Sequence, residues 1–160
     1  MTTRAEALAR QFAVANDELI ALLERATPEQ WRQRTEDEGE LRAVGVIADH
    51  VALAHPRILG RVQAFAYGIP VPPRRPELFD ERNARHAREI PDPDQQTTIE
   101  RLRRGGAAVF DLISRLTDEQ LDRTSTEDPG APTMTTAEVI EQRQIAHVQT
   151  HLASIRTVLS

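Results

Sequence analysis

The stretch Glu141–Ile155, EQRQIAHVQTHLASI, decides the fold, because it sets two histidines within an apolar helical pattern. His147 and His151 are four residues apart, so their imidazoles lie on the same face of a helix. Apolar residues on both sides continue this stripe, which directs the pair towards a core. Each buried polar group without a partner costs about 1–3 kcal/mol. A metal ion shared with His50, on another helix, is one candidate partner.

Composition favours a helical protein with few specialised surfaces. The chain has 160 residues with 4% aromatic residues and no cysteine, and Ala, Leu, Arg, Glu and Gln dominate it. We expect one helical domain over residues 1–160. The absence of cysteine excludes thiolate metal ligands and a cysteine nucleophile. The net charge of −5 comes from interspersed residues, so we expect no nucleic-acid ligand.

No segment predicts a leader or a membrane anchor. Residues 1–10 lack the apolar region of a signal peptide, and no window approaches the roughly 18 apolar residues of a membrane span. We therefore expect a cytoplasmic protein that does not bind membranes.

Four long amphipathic helices are predicted from capping signals and apolar spacing. Their expected spans are Thr3–Arg25, about Ala43–Ala66, a helix headed by a Thr97–Glu100 capping box and reaching Leu116, and Thr135 to about Leu159. Shorter helices are expected at Thr27–Trp31, at Glu77–Glu89 and after Thr117. The pattern predicts an all-α four-helix bundle.

Irregular features are also expected. Pro56 should kink or split the second long helix, and residues 36–40 should form a loop. Gly106 falls on the inward stripe of the third long helix, which indicates close approach of a neighbouring helix. Arg101–Arg104 should be helix surface.

The crossover between the second and third long helices, about thirty residues, determines how the histidines are arranged. It is long enough to travel the bundle's length of roughly 30 Å, so these two helices can be parallel. The order is then up-down-down-up. In that order His50 and His151 lie at similar distances from the same end of the bundle, with His147 one turn deeper.

The stretches VGVIADHV around His50, HVQTHLASIR near the C-terminus and TPEQW resemble the DinB-like (YfiT-like) superfamily of bacterial bundle proteins. The resemblance covers essentially the whole chain. It implies a divalent metal bound through His50, His147 and His151. It also implies relatedness to transferases or isomerases that use mycothiol, bacillithiol or glutathione. This chain has Arg42 and Ala43 where relatives often have Trp followed by Ser or Thr.

No catalytic residue is identified from the sequence, but four candidates are close to the predicted site. Arg57 returns to the face of His50 and could anchor an anionic substrate. Gln144 lies one turn before His147 and could hydrogen-bond to it. Asn83 and His86, on the short crossover helix, could line the pocket mouth or transfer protons. His55 points away from His50, and we expect it at the surface or at an interface.

Three histidines leave a coordination position open for water or substrate, as in catalytic sites. We expect Zn²⁺ first, with nickel, iron or manganese as alternatives. The first functional hypothesis is an enzyme that transfers or isomerises a small-molecule substrate with a small-molecule thiol. Metal-assisted hydrolysis is the second, weakened because no carboxylate lies one turn from the histidines. A third is a non-catalytic metal-binding, stress-response or dimerisation module. We expect a homodimer.

Overall fold

The computed structural model describes residues 1–159 and contains four long helices, as predicted. Three of them are α1 Arg4–Arg25, α3 Val44–Tyr67 and α5 Gln95–Ser114. The fourth comprises α7 Thr136–Val139, a π-helical turn Ile140–Ile145 and α8 Ala146–Arg156. The shorter elements are α2 Pro28–Arg32, β1 Arg34–Asp37, β2 Glu40–Ala43, α4 Pro76–Glu89, α6 Asp118–Asp122, β3 Thr124–Ser125 and β4 Met134–Thr135. Among the described residues, no helix is both long and apolar enough to cross a bilayer.

Five helices begin at a side-chain cap, whereas α3 and α4 begin without one. Complete capping boxes begin α1, α2, α6 and α7 at Thr3, Thr27, Thr117 and Thr135. The predicted box at Thr97 is wrong, because α5 begins two residues earlier. The Asp94 carboxylate accepts hydrogen bonds from the Thr97 amide at 2.8 Å and from its hydroxyl at 2.7 Å. Asp94 is therefore the N-cap, and Thr97 lies inside the helix.

Side-chain contacts indicate that α1 and α5 are antiparallel, whereas α3 and α5 are parallel. Gln95, at the start of α5, donates to the carbonyl of Leu23 near the end of α1. On α3, Asp49 accepts a hydrogen bond from Thr98, and one and a half turns later His55 lies against Gly105. The second contact lies further towards the C-terminus than the first in both helices, so the two helices run in the same direction.

The contacts of α3 with the fourth helix run in opposite directions. His50 meets His147, whereas Arg61, three turns later on α3, reaches the same Glu127 carboxylate as Arg143. Advancing along α3 therefore corresponds to moving back along the fourth helix. Together these contacts favour the up-down-down-up order.

Pro56 does not split α3, which was one of the two outcomes expected for it. The helix is continuous from Val44 to Tyr67. Buried residues precede the proline (Val51, Ala54) and follow it (Val62, Phe65). Packing on both sides holds the two halves in one helix although the proline removes a backbone hydrogen bond.

Residues 36–40 are not a loop but belong to a two-stranded antiparallel hairpin. Arg34 pairs with Ala43 and Asp37 with Glu40. A two-residue turn, Glu38–Gly39, joins the strands, with φ of 50° and 84°. Thr35 and Asp37 are buried while their neighbours are exposed, so one face of β1 packs on the bundle.

The surface or interface position expected for His55 is wrong, because its side chain is fully buried inside the bundle. Its Nε2 donates to Asn16 Oδ1 at 2.8 Å, and Asn16 Nδ2 donates to the Leu102 carbonyl at 3.2 Å. A Cβ at Gly106 would lie 2.3 Å from Asn16 Nδ2. This confirms the close approach predicted at Gly106. The missing side chain at this position leaves room for the side chain of Asn16, which is hydrogen-bonded to His55.

Two glycines of α3 provide a matched test of packing. A Cβ at Gly45 would lie 2.4 Å from Nε1 of Trp31, a buried indole held by a 2.9 Å hydrogen bond to the Pro93 carbonyl. Gly60 has no atom within 4 Å of such a Cβ. We expect Gly45→Ala to lower the free energy of unfolding by about 1–3 kcal/mol and Gly60→Ala to raise it by about 0.5–1 kcal/mol. Urea denaturation measures both, and equal effects would contradict the packing described.

Candidate metal centre and its pocket

The structure brings His50, His147 and His151 together, with ring centroids 4.5–5.0 Å apart. His50 extends from α3, and the other two extend from successive turns of α8. One nitrogen of each ring lies within 4.8 Å of the other two. The Nε2 atoms of His50 and His147 are 3.1 Å apart. These three side chains can hold a metal ion.

The chemistry of the three rings fits a divalent cation. Two nitrogens bound at 2.0–2.1 Å to a tetrahedral zinc lie about 3.4 Å apart, close to the His50–His147 separation. Burial, with repulsion from the neighbouring histidines, lowers the pKa of His50 to about 2 and that of His147 to about 3. Both rings are therefore neutral at pH 7 and have a lone pair to offer. Within the described residues, the buried Nε2 of His151 has no hydrogen-bond partner.

A carboxylate from the hairpin orients the third ring. Nδ1 of His151 donates to Asp37 Oδ1 at 2.8 Å and to Oδ2 at 3.0 Å. Although burial opposes ionisation, the hydrogen bond from His151 and the charge of the nearby Arg42 hold the pKa of Asp37 below its usual value. With the proton on Nδ1, the lone pair on Nε2 faces the other two rings. This carboxylate–histidine pairing is typical of metal sites.

The π-helical turn Ile140–Ile145 leads directly into the histidine-bearing helix α8. Gln144 lies in this turn and is fully buried. The hydrogen bond that Gln144 could make to His147 is not formed, because neither amide atom has a partner among the described residues. A π turn holds more residues than an α turn, so the i, i+3 relation assumed from the sequence does not apply.

A cavity of about 650 Å³ opens beside His50 and His147. Two of the candidate residues line it, Arg57 from α3 and Asn83 from α4. The cavity also contains side chains from the crossover, such as Arg74 and Phe79. The crossover helix therefore forms one wall of a pocket that ends at the histidines.

His86 does not line this pocket. Its Nε2 donates to Asp49 Oδ2 at 2.7 Å, and Asp49 is buried next to His50. Asp49 Oδ1 also accepts from Arg101 at 2.7 Å, and Arg101 lies on the helix surface as predicted, with its side chain 44% exposed. Despite burial, these partners hold the pKa of Asp49 below its usual value. His86 thus anchors α4 to α3 and α5 rather than facing the cavity.

Glu38, a carboxylate at the rim of the site, was not predicted from the sequence. Glu38 lines the cavity, and its carboxylate lies within 4.8 Å of donor atoms of Asp37 and His151. Its φ of 50° is a left-handed conformation that costs a non-glycine residue about 1 kcal/mol. Positive φ at Glu38 and Gly39 is the pattern of a type I′ turn, which favours Asn, Asp or Gly at the first position. The only sequence signal for this hairpin is the pair Glu38–Gly39, and glutamate is not among the residues that this turn type favours at its first position.

Asp37→Asn tests the hairpin's contribution to the centre. The amide still accepts a hydrogen bond from His151 but lacks the negative charge that raises ligand basicity. We expect the affinity for Zn²⁺ to fall about 10–100-fold, as measured by competition with a chromophoric chelator. Glu36→Gln removes the same charge from an exposed position of β1 and should leave the affinity unchanged. Equal affinities for the two variants would show that Asp37 does not support the centre.

Solved structures with the same fold carry varied descriptions. YfiT from Bacillus subtilis is described as "a probable metal-dependent hydrolase with an unusual four-helix bundle topology". It is 18% identical to this chain, and the match has a TM-score of 0.77 and covers 99% of this chain and 88% of YfiT. The mycothiol-dependent maleylpyruvate isomerase is 13% identical with a TM-score of 0.69, over 96% of this chain and 61% of the other. At these identities the likeness shows the fold alone and confirms the four-helix bundle.

A third structure bears on the nucleic-acid prediction. The colibactin self-resistance protein ClbS, solved with double-stranded DNA, is 14% identical with a TM-score of 0.71, over 96% of this chain and 94% of the other. A protein of this fold thus binds DNA, so the fold alone does not exclude a nucleic-acid ligand. That our chain binds none stays a prediction.

Sequence comparison assigns the family. No curated protein matches the chain. A protein-family model described as the DinB superfamily matches residues 11–155, which include all three histidines and the carboxylates of the hairpin. The resemblance found in the sequence is confirmed: the chain belongs to the DinB superfamily.

Proposed function

We propose that the protein is a metal-dependent enzyme whose divalent cation is bound by His50, His147 and His151. One observation carries the proposal: three imidazoles converge beside a cavity of about 650 Å³, and the Nε2 of His151 has no hydrogen-bond partner among the described residues. A structural site would surround its metal with protein ligands, whereas three histidines leave a position that faces the cavity. Zinc is the first candidate, followed by nickel, iron and manganese, because imidazole suits all four.

For the reaction we propose transfer or isomerisation with a small-molecule thiol, similar to mycothiol or bacillithiol. A cation in this site would supply Lewis acidity and lower the pKa of a thiol or water bound to it. The chain has no cysteine, so the thiol must come from a second molecule. Asp37 fixes the orientation of His151, while Arg57 and Asn83 line the space in which a substrate would lie. The description of the isomerase of the same fold supports this proposal.

Metal-assisted hydrolysis is a second candidate, and Glu38 specifically favours it. The sequence offered no carboxylate near the histidines, but the hairpin places one at the cavity rim beside His151. As a general base, the Glu38 carboxylate would take a proton from an attacking water molecule. A left-handed glutamate in a turn that favours asparagine suggests that its carboxylate is kept for function.

Metal content separates the enzyme proposals from a metal-free stress-response or dimerisation module. Protein purified without chelators should contain one divalent ion per chain by elemental analysis, and His147→Ala should contain less than one tenth of that. Added metal should raise the Tm of the wild type but not that of the variant. Metal-free protein with unchanged properties in His147→Ala would overturn both enzyme proposals.

Turnover then separates catalysis from metal storage or sensing. The metal-loaded wild type should consume thiol and a test electrophile, such as a chlorinated aromatic compound or an epoxide, faster than the His147→Ala variant. Metal bound in full but no turnover with several thiols and electrophiles would count against transfer.

Glu38→Asn distinguishes the two reactions. Asparagine suits the left-handed position, so we expect the free energy of unfolding to stay the same or rise by up to about 1 kcal/mol. If Glu38 is a general base, ester or amide hydrolysis should fall about 10²–10⁴-fold while thiol transfer is retained. Hydrolysis unaffected in Glu38→Asn would exclude this role. Glu40→Asn, in the same hairpin but absent from the cavity lining, is the matched control.

A further inference from the structure

The cavity beside the histidines is basic although the chain is acidic. Five arginines line it, against two acidic side chains, Glu38 and Asp80. The chain as a whole has a net charge of −5. The arginines are Arg57, Arg61, Arg74, Arg82 and Arg143. Positive charge is thus concentrated around a cavity that reaches the candidate metal centre.

Three of these arginines share a protein carboxylate. Glu127, only 6% exposed, accepts hydrogen bonds from Arg143 at 2.9 Å and 2.5 Å. Arg61 and Arg74 approach the same carboxylate at 3.7 Å and 3.8 Å. This cluster joins α3, the crossover and the fourth helix, so it has a structural role.

Arg57 and Arg82 have no such partner. Among the described residues, neither guanidinium lies within salt-bridge distance of a carboxylate. Arg57 makes one long hydrogen bond, from Nε to the Leu53 carbonyl at 3.4 Å, and Arg82 lies over the ring of Phe79 at 4.9 Å. Burial lowers the pKa of both guanidinium groups, and the charge of Arg82 lowers that of Arg57 further. The two cations at the cavity wall therefore repel each other, and no carboxylate of the described residues pairs with either of them.

Their position links them to the metal centre. Arg57 follows His50 by seven residues, two helical turns on the same face, or about 10 Å along α3. Its charge also lowers the pKa of His50 and His147. A group bound between the two arginines would therefore lie in the same cavity as the open position of the metal.

We infer that Arg57 and Arg82 form a binding site for a small organic anion, a carboxylate or phosphate, whose reactive end reaches the histidine centre. A guanidinium presents two parallel N–H donors that match the oxygens of these groups. The second arginine comes from the crossover helix, so the anion would bridge α3 and α4. The inference rests on the proposed function only in assigning this anion to the substrate or the thiol.

Anion binding can be measured on metal-free protein, where chelation of metal by the probe cannot interfere. Calorimetric titration with succinate and with inorganic phosphate at constant ionic strength should show saturable binding to the wild type. Arg57→Gln and Arg82→Gln should each weaken it about tenfold or more, because each removes charge-assisted hydrogen bonds. Arg85→Gln is the matched control, because Arg85 is on the same helix but pairs with Glu81 outside the cavity. It should bind like the wild type.

The outcomes are distinct from those of the metal tests. No saturable binding, or equal weakening in all three variants, would overturn the inference even if the protein contains metal and turns over thiol substrates. Binding that depends on Arg57 and Arg82 in a protein that takes up no metal would support the anion site and overturn the proposed function.

A second measurement assigns the anion to the thiol or to its reaction partner. In metal-loaded protein, the affinity for mercaptosuccinate is compared with that for neutral 2-mercaptoethanol. An advantage of the anionic thiol that disappears in the Arg57→Gln, Arg82→Gln double variant assigns the anion to the thiol. Arginine-dependent succinate binding without such an advantage assigns it to the other substrate.

Discussion

Three imidazole rings with centroids 4.5–5.0 Å apart, largely withdrawn from water, constrain the whole centre. Protonation of one ring disfavours protonation of its neighbours, and burial disfavours all charged forms. The rings of His50 and His147 therefore remain neutral, and the three rings converge in an arrangement that a cation stabilises. Asp37 accepts a hydrogen bond from Nδ1 of His151, and Arg42 lies close enough to balance the charge of that carboxylate. Each polar group around the centre thus depends on its neighbour.

The long crossover brings chemistry to the site as well as changing helix direction. It carries α4, which has no buried residue and is joined to the bundle by the hydrogen bond between His86 and Asp49. Because Asp49 immediately precedes His50, the anchor of α4 and a metal-ligand candidate lie on the same turn of α3. A shift of α4 would therefore change the cavity wall and the surroundings of His50 together.

The bundle and the three histidines could be predicted because their signals are local and periodic. Capping boxes mark helix starts, and His147 and His151 share a face by spacing alone. Asp37 and Glu38 could not be found in this way, because their positions depend on a four-residue strand pairing with few apolar residues. The position of His55 was predicted wrongly, because helical phase gives the direction in which a side chain points but not which residues it meets. Asn16 supplies a hydrogen-bond partner for His55 inside the core, and two glycines of α5 leave room for both side chains.

The π-helical turn Ile140–Ile145 divides the fourth helix into two segments with separate rotational phase. The early segment is set by its capping box and its packing near α6, and the later one by the histidines and the hairpin. An ordinary α-helix would tie these two faces together at a fixed 100° per residue. The wider turn absorbs the difference. The angular position of the histidine pair could therefore diverge among related chains by gain or loss of a single residue here, while both ends of the helix keep their packing.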